Sequence, residues 1–380
     1  MKSLSPLLLI FLFAACDGMK TELDVDSIAF PPKLSVTAIL DNEEGTFSIA
    51  FSEGRALADY AKPFLDNREI TRDGEIRLYE DDRLIWSQQG PFDMSMNNEQ
   101  GLLDDGNWYY FIQNGYAHVE YGIVSCTGSE YRLEVEVEGY ETVVSTATMP
   151  DAPVVTAKVD ASTDIEKNNV HTIYSLNSFS WYGNYVFWPL TVHFTDLDLN
   201  ERKYYAMDIA IKTDEYLDGV IENTLESHVG IGVSELSKLQ DNPDVETEGV
   251  LIDTNPPDLY LFTMLLQSNV TFSRGENVLN YFAGRPQNFN ISCSDYDLSS
   301  NYVQITFREY YSLRVKRITI ETFKYYRSLS LQSAGMGFLG EPVTVTGNMN
   351  KGYGCFSVIN SVKIPLAELE GCFWRPDYGN

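Results

Sequence analysis

Alternating apolar and polar positions near the start of the chain predict a β-hairpin. Two runs show this alternation, with apolar side chains at Leu34, Val36, Ala38, Leu40, Phe47, Ile49 and Phe51. Successive side chains of a strand point to opposite faces, so a period of two places these residues on one face. An acidic turn over residues 41–45 separates the two runs. We therefore expect two antiparallel strands with one buried face.

The same pattern continues and predicts a β-sandwich over residues 28–150. Its clearest strand runs from Tyr131 to Glu138, where apolar residues alternate with an arginine and three glutamates. Short strands separated by turn residues are typical of immunoglobulin and fibronectin type III sandwiches. Pro150 and Pro153 then interrupt the pattern, because proline cannot donate a hydrogen bond to a strand ladder. We place a domain boundary at this point.

Residues 151–380 are predicted to form a second β-rich domain with one or two short helices. Strand patterns occur over 190–194, 205–211 and 302–311. Thr319 is suited to cap a helix that continues to about Gln332. The apolar stripe of this helix consists of Ile320, Phe323, Tyr326 and Leu329. The chain as a whole is therefore predicted to be mainly β.

The N-terminus has the layout of a secretory signal peptide over residues 1–15. Lys2 precedes an apolar run of about a dozen residues, which is too short for a transmembrane helix because such a helix needs roughly 20. The segment Phe13-Ala14-Ala15-Cys16 resembles the lipobox of bacterial lipoproteins. This resemblance implies cleavage before Cys16 and a lipid on Cys16 that anchors the protein to a membrane. Ordinary secretion is the alternative.

Residues 16–27 are expected to form an acidic tether between the anchor and the fold, since they show no apolar period. Acidic residues just after a lipidated cysteine resemble the signal that sends lipoproteins of the Bacteroidota to the cell surface. The whole chain has 55 acidic and 27 basic residues and a formal net charge of −28. Nucleic acid is therefore not an expected partner. The charge favours a well-solvated surface protein.

Four cysteines besides Cys16 allow three disulfide pairings in an oxidising compartment. They are Cys126, Cys293, Cys355 and Cys372. The sequence does not choose among the pairings. A bond between Cys355 and Cys372 is the most local option, and buried free thiols are the alternative.

An aromatic cluster between residues 179 and 188 is the candidate binding site. Its members proposed to contact a ligand or a partner are Trp181, Tyr182, Tyr185 and Trp188. Such side chains can stack on a sugar or peptide, or anchor a protein interface, and core packing is the alternative. Motifs of serine hydrolases, zinc proteases and P-loop enzymes do not occur in the sequence. We therefore predict no catalytic residues, no metal site and no cofactor apart from the lipid.

The C-terminal block over residues 337–356 carries a resemblance to a known family. It combines Glu341-Pro342-Val343 with Gly347-Asn348, Gly352 and Gly354. Together with Thr148-Met149-Pro150 and the strand from Leu190 to Asp196, this block resembles a Bacteroidota outer-membrane lipoprotein family catalogued as domain of unknown function 4249. Lys351 stands where that family more often has glycine. The glycines and Asn348 indicate a fold-defining turn, and a contact surface is the alternative.

The resemblance implies a role as a protein partner, because members of the family resemble accessory lipoproteins found beside TonB-dependent outer-membrane receptors. We therefore expect a non-enzymatic lipoprotein, lipid-anchored at the outer membrane and exposed at the cell surface. It would serve an outer-membrane β-barrel, with a TonB-dependent transporter as the expected partner, in substrate capture or capping.

Two other functions remain open. A structural subunit of an outer-membrane protein assembly or secretion complex would be favoured by broad flat apolar patches, whereas a solvent-open aromatic pocket would favour the transporter accessory. A surface hydrolase would require a pair of acids converging in a deep cleft.

Overall fold

The structure is a computed structural model in which part of the chain is described. The described residues are 33–54, 71–94, 97–102, 108–113, 117–173, 180–195, 201–233, 260–262, 264–269, 277–286, 302–335 and 345–376. The predicted signal peptide 1–15, Cys16 and the tether 16–27 lie outside these ranges. Within them, no helix has both the length and the apolar character needed to cross a bilayer.

Short strands dominate the chain up to Pro150. They are β1 (Lys33–Asp41), β2 (Thr46–Gly54), β3 (Thr71–Arg72), β4 (Gly74–Glu80), β5 (Arg83–Gln89), β6 (Phe92–Asp93), β7 (Asn97–Leu102), β8 (Trp108–Gln113), β9 (Ala117–Gly122), β10 (Glu130–Val137) and β11 (Val143–Thr148). The predicted hairpin is confirmed, because β1 and β2 pair antiparallel with Leu40 opposite Phe47.

Two antiparallel sheets from these strands enclose one core. One sheet contains β1, β2 and β9 in that order, and the other has the order β11-β10-β4-β5. Side chains from both sheets are fully buried between them, including Val36 and Phe51 from the first and Leu78 and Leu133 from the second. This strand order is that of a fibronectin type III sandwich, so the expected sandwich is present.

A buried tyrosine fixes the turn that enters β10. The hydroxyl oxygen of Tyr131 accepts a hydrogen bond from the backbone N–H of Cys126 at 2.7 Å. It donates another to Oε1 of Glu80 at 2.6 Å. A tyrosine at the start of this strand, bonded back to the backbone a few residues upstream, is a recurring feature of immunoglobulin-like sandwiches. The Tyr131 hydrogen bond, together with Arg83, holds the pKa of Glu80 below its usual range.

The second part of the chain contains longer strands and the helix α1 (Ile320–Gly335). The strands are β12 (Val155–Val159), β13 (Ile165–Ile173), β14 (Ser180–Phe194), β15 (Tyr204–Leu217), β16 (Val220–Val229), β17 (Ile231–Val233), β18 (Tyr260–Phe262), β19 (Leu265–Ser268), β20 (Asn277–Pro286), β21 (Tyr302–Ile318) and β22 (Tyr353–Pro376). The described residues are thus mainly β, as predicted.

These strands form a closed ring and a long open sheet that share a core. The ring runs β14-β13-β18-β17-β20 and closes because β20 also pairs with β14, while β12 extends one edge of β14. The open sheet runs β16-β15-β21-β22. Leu190, Val192 and Phe194 from the ring pack against Met207 and Leu313 from the sheet.

The predicted helix is present and begins as expected. The hydroxyl oxygen of Thr319 accepts a hydrogen bond from the backbone N–H of Thr322 at 3.2 Å, which satisfies a donor that the first turn would otherwise leave unpaired. Phe323 and Tyr326 are buried against the long sheet, as the stripe predicted. Ile320 is 36% exposed, however, and Tyr325 is buried instead. The stripe is therefore rotated slightly from the predicted one.

Strand β22 connects the sandwich to the long sheet. Its first residues pair in parallel with β1, from Tyr353 opposite Ser35 to Ile359 opposite Asp41. From Asn360 onward it pairs antiparallel with β21. Phe356 and Val358 belong to the sandwich core although they lie in the segment assigned to the second predicted domain. The sheet thus continues across the boundary placed at Pro150.

Replacing Tyr131 by phenylalanine should lower the free energy of unfolding by about 1–3 kcal/mol, because the N–H of Cys126 loses its acceptor and the buried Glu80 loses one of its two donors. Tyr79→Phe is the matched control on the same sheet, since the Tyr79 hydroxyl donates to the partly exposed Glu134 over 3.3 Å. The measurement is urea unfolding followed by tryptophan fluorescence. Equal losses in the two variants would contradict the role given to Tyr131.

Candidate functional site

The prediction that Trp188 contacts a ligand or a partner as part of an exposed aromatic cluster is wrong. This side chain is only 2% exposed, its ring packs edge-on against Tyr311 with centroids 5.0 Å apart, and its Nε1 donates to Oδ1 of Asp164 at 2.7 Å. The period of two that buries Leu190 and Val192 also buries the position before Leu190 on the same face. That signal was present in the sequence, and it favours the core alternative at this position.

Tyr185 does not meet Trp188 in an open aromatic platform. Tyr185 lies on the opposite face of β14 and is half-buried, with its ring centroid 6.0 Å from that of Phe187. Phe187 is fully buried and packs against Phe282 of β20. The backbones of Trp181 and Tyr182 pair with β13, and their side chains lie outside the described part.

The suggested disulfide between Cys355 and Cys372 is also wrong. Cys355 is a buried free thiol and Cys126 is an exposed free thiol. Cys372 forms a disulfide, but with neither of these two residues. Cys355 and Cys372 lie on the same extended strand, β22, which separates them by a distance on the order of 50 Å. A disulfide requires Cα atoms within about 7 Å. Burial raises the pKa of the Cys355 thiol to about 11.

The block shared with the known family has a structural role. The side-chain amide of Asn348 donates to the backbone oxygen of Phe356 and accepts from its N–H, both at 2.8 Å, as a neighbouring strand would. Gly354 has a φ of +98°, and a Cβ there would lie 1.9 Å from the backbone oxygen of Val36. Lys351 has a φ of 63°, which explains why glycine suits this position. These contacts support the fold-defining turn.

A compact group of charges lies on the long sheet, on the face opposite the core that the sheet shares with the ring. Asp208 on β15 faces Arg314 on β21, whose Nε and Nη2 donate to the two carboxylate oxygens at 2.7 and 3.1 Å. Lys316 donates to the same carboxylate at 2.9 Å. Burial opposes ionisation of Asp208, but the two cations outweigh it and hold its pKa below the usual range. This is a saturated ion cluster.

The cluster also reaches the sandwich and a histidine. Nη1 of Arg314 donates to Oε1 of Glu44, in the turn between β1 and β2, at 2.8 Å. Nη2 of Arg314 lies 3.0 Å from Nδ1 of His228 on β16. Burial and the nearby Arg314 lower the pKa of His228. Arg314 therefore joins β15, β21 and the sandwich through a single guanidinium group.

The same face of the sheet continues as an open surface of charged and aromatic side chains. Asp214 accepts hydrogen bonds from Lys212 and Thr224, and Arg308 pairs with Glu370. Lys212 also lies over the ring of Tyr310, 5.7 Å from its centroid. Cross-strand pairs of this type stabilise a sheet while leaving its surface wet. The face can make many polar contacts with a protein surface.

The sheet ends in the hairpin of β15 and β16. Asp218 and Gly219 form its turn with φ values of 52° and 81°, as expected of the two-residue turns that join antiparallel strands. Every residue of β16 from Val220 to His228 is exposed. The Asp-Gly pair between two strand patterns was a sequence signal for this hairpin. The ion cluster had no comparable signal, because Asp208 and Arg314 meet only once the register is known.

A cavity of about 490 Å³ lies at one end of the sandwich. Its acidic lining includes Asp73, Glu75, Glu136 and Glu138. Arg77 pairs with both Glu75 and Glu136, at 2.7 and 3.3 Å, so two of these carboxylates share one cation. Across the described ranges, no group of three or more histidine, cysteine or acidic side chains is placed to hold a metal ion.

Asp208→Asn should lower the free energy of unfolding at pH 7 by about 3 kcal/mol, because the mostly shielded Arg314 and Lys316 would lose the anion that they share. The folded-state pKa of Asp208 lies below its ordinary value of 3.8. Its contribution is therefore present above pH 3.8 and is lost as the pH falls through the lowered pKa. The difference between wild type and variant should shrink over that range.

Urea unfolding at pH 7 and at pH 3 checks this expectation. Asp218→Asn is the control, since it changes an exposed carboxylate in a turn whose positive φ asparagine also tolerates. A loss at pH 7 as small as that of the control would show that the ion cluster contributes little.

Comparison with known proteins identifies the family but not an activity. A search of curated proteins finds no match to this chain. The model of one family, described as a domain of unknown function (DUF4249), matches residues 20–364 and so covers most of the chain. The protein therefore belongs to the DUF4249 family.

Proposed function

We propose that this protein is a non-enzymatic accessory lipoprotein of a bacterial outer membrane, one that docks on an outer-membrane β-barrel and helps to cap it. A TonB-dependent transporter is the barrel we propose. The observation that carries the proposal is the far end of the long sheet, which, among the described residues, offers a charged face and an exposed terminal hairpin to a partner. Such a surface suits protein contacts more than it suits chemistry on a small molecule.

The proposed anchor would hold the protein close to a membrane. Lipid on Cys16 would hold the chain at the bilayer, and a tether of the length of residues 16–27 would span roughly 20 Å as a random coil. The first described residue after this segment is Lys33, which begins β1. The acidic tether favours the outer face of the outer membrane, as in surface lipoproteins of the Bacteroidota.

The buried charges support a structural rather than a catalytic role. Asp208 is saturated by Arg314 and Lys316, and Glu80 by Tyr131 and Arg83. His228 lies beside a guanidinium group, which disfavours its protonation. These groups hold sheets together. Because Trp188 belongs to the core, the proposal assigns docking and capping to this chain and leaves ligand stacking out.

The test is purification of the full-length lipoprotein from its own host, with a C-terminal affinity tag and a mild detergent. A TonB-dependent receptor should co-purify in a fixed ratio, and the tagged receptor should recover this protein in return. Cys16→Ala is the control, because loss of the lipid should remove the protein from the membrane fraction and deplete the complex. Recovery of assembly or secretion components would favour the alternative, a structural subunit of such a complex. Recovery of the protein alone would contradict both functions.

A further inference from the structure

His228 connects β16 to a strand that is not its neighbour in the sheet. His228 lies opposite Ala210 of β15, and Ala210 lies opposite Ser312 of β21. Nδ1 of His228 nevertheless lies 3.0 Å from Nη2 of Arg314 on β21. The small side chain of Ala210 lets the two longer side chains meet above β15. This contact therefore joins β16 directly to the ion cluster around Asp208.

The contact requires a neutral imidazole ring. A guanidinium group has only hydrogen-bond donors, so His228 must supply the acceptor. Nδ1 accepts a hydrogen bond only while it carries no proton, because both ring nitrogens of a protonated histidine are donors. Burial and the neighbouring Arg314 also lower the pKa of His228. The bond between Arg314 and His228 is therefore lost when His228 takes up a proton.

The charges around His228 are balanced while the ring is neutral. The charged groups that face it from other elements are Asp208 of β15, Arg314 and Lys316 of β21, and Glu44 of the turn between β1 and β2. These are two carboxylates and two cations. The next pair along the same face, Glu226 and Lys212, is balanced as well. Protonation of His228 would therefore leave one excess positive charge in a partly buried cluster, which is unfavourable.

Asp208 does not compensate for this extra charge. Its nearer oxygen lies 3.9 Å from Nδ1 of His228, and its carboxylate already accepts three hydrogen bonds from Arg314 and Lys316. A new bond from the histidine would have to displace one of these. The side chain of His228 is 51% exposed, so water is an available alternative partner. A protonated His228 is therefore expected to leave the cluster for solvent.

We propose that His228 is a pH-sensitive switch, which holds β16 to the ion cluster while its ring is neutral and releases this strand when the ring is protonated. Every residue of β16 from Val220 to His228 is exposed. This strand is therefore the part of the cluster that is most free to move away. The switch goes beyond the proposed function because it concerns this chain alone, and it would make the hairpin that we propose for docking sensitive to pH.

The direction of the pH dependence follows from where the proton binds more tightly. Released His228 has the ordinary pKa of 6.5, whereas His228 in the cluster has a lower pKa. The stabilisation that the contact gives to β16 is thus fully present above pH 6.5 and decreases as the pH falls below 6.5. Asp208 keeps its charge over this range, because its pKa lies below 3.8.

Hydrogen exchange of the full-length protein in mild detergent, followed by mass spectrometry at pH 7.5 and pH 5, tests the switch. After correction for the intrinsic pH dependence of exchange, protection of residues 224–229 should fall by roughly twofold or more at pH 5, relative to residues 131–137 of β10. In His228→Gln it should not fall, because the glutamine oxygen can accept from Arg314 and does not titrate. An equal fall in both proteins, or no fall in the wild type, would overturn the proposal.

A second variant tests the coupling of charges without changing the histidine. Glu44→Gln removes a half-exposed anion from the cluster, so His228 should be harder to protonate and the loss of protection should extend to lower pH. Glu141→Gln, which removes an exposed carboxylate paired with Lys351 on the sandwich, is the control and should leave the pH profile unchanged. Identical profiles for the two variants would contradict the switch. Neither measurement requires a partner, so the result does not depend on whether a transporter co-purifies.

Discussion

The pairing of β22 with two different partners is the constraint on which the rest of the fold depends. Its 24 residues begin beside β1 and continue beside β21, so one strand belongs to both the sandwich and the long sheet. At the change of partner, the side chain of Asn360 donates to Thr127 and to the backbone oxygen of Pro150, both at 2.9 Å. Ser361 donates to the buried Asp41 at 2.6 Å. Because buried polar groups need their partners, this junction permits few alternative arrangements.

The same constraint positions the surface to which we assign function. Arg314 lies on β21, next to the shared strand, and connects the charged face to the sandwich through Glu44. The hairpin of β15 and β16 is thereby held by a sheet continuous with β1, the first strand described after the proposed tether. A partner that docks at the hairpin would meet strands that are already held in place by hydrogen bonds. Binding would therefore require little rearrangement of this protein.

Local patterns in the sequence were sufficient for several of the strands and for the helix. The alternation in β1, β2 and β10 and the cap at Thr319 depend on neighbouring residues, and the structure agrees with them. Contacts between distant segments were not accessible in the same way. The parallel pairing of β1 with β22 and the meeting of Asp208 with Arg314 depend on register, which no local period determines. The disulfide was misjudged because closeness in sequence was taken for closeness in space, whereas an extended strand separates its residues. Trp188 was misjudged although its period matched the core, because an aromatic cluster suggests a binding surface equally well.

Native-state hydrogen exchange across a series of denaturant concentrations tests most directly whether β22 unites the two parts of the protein. If it does, peptides covering residues 34–40 of β1 and residues 311–317 of β21 should converge on one free energy of opening, because neither sheet can open without breaking the shared strand. Two separate opening free energies, with the sandwich exchanging while β21 remains protected, would contradict the account.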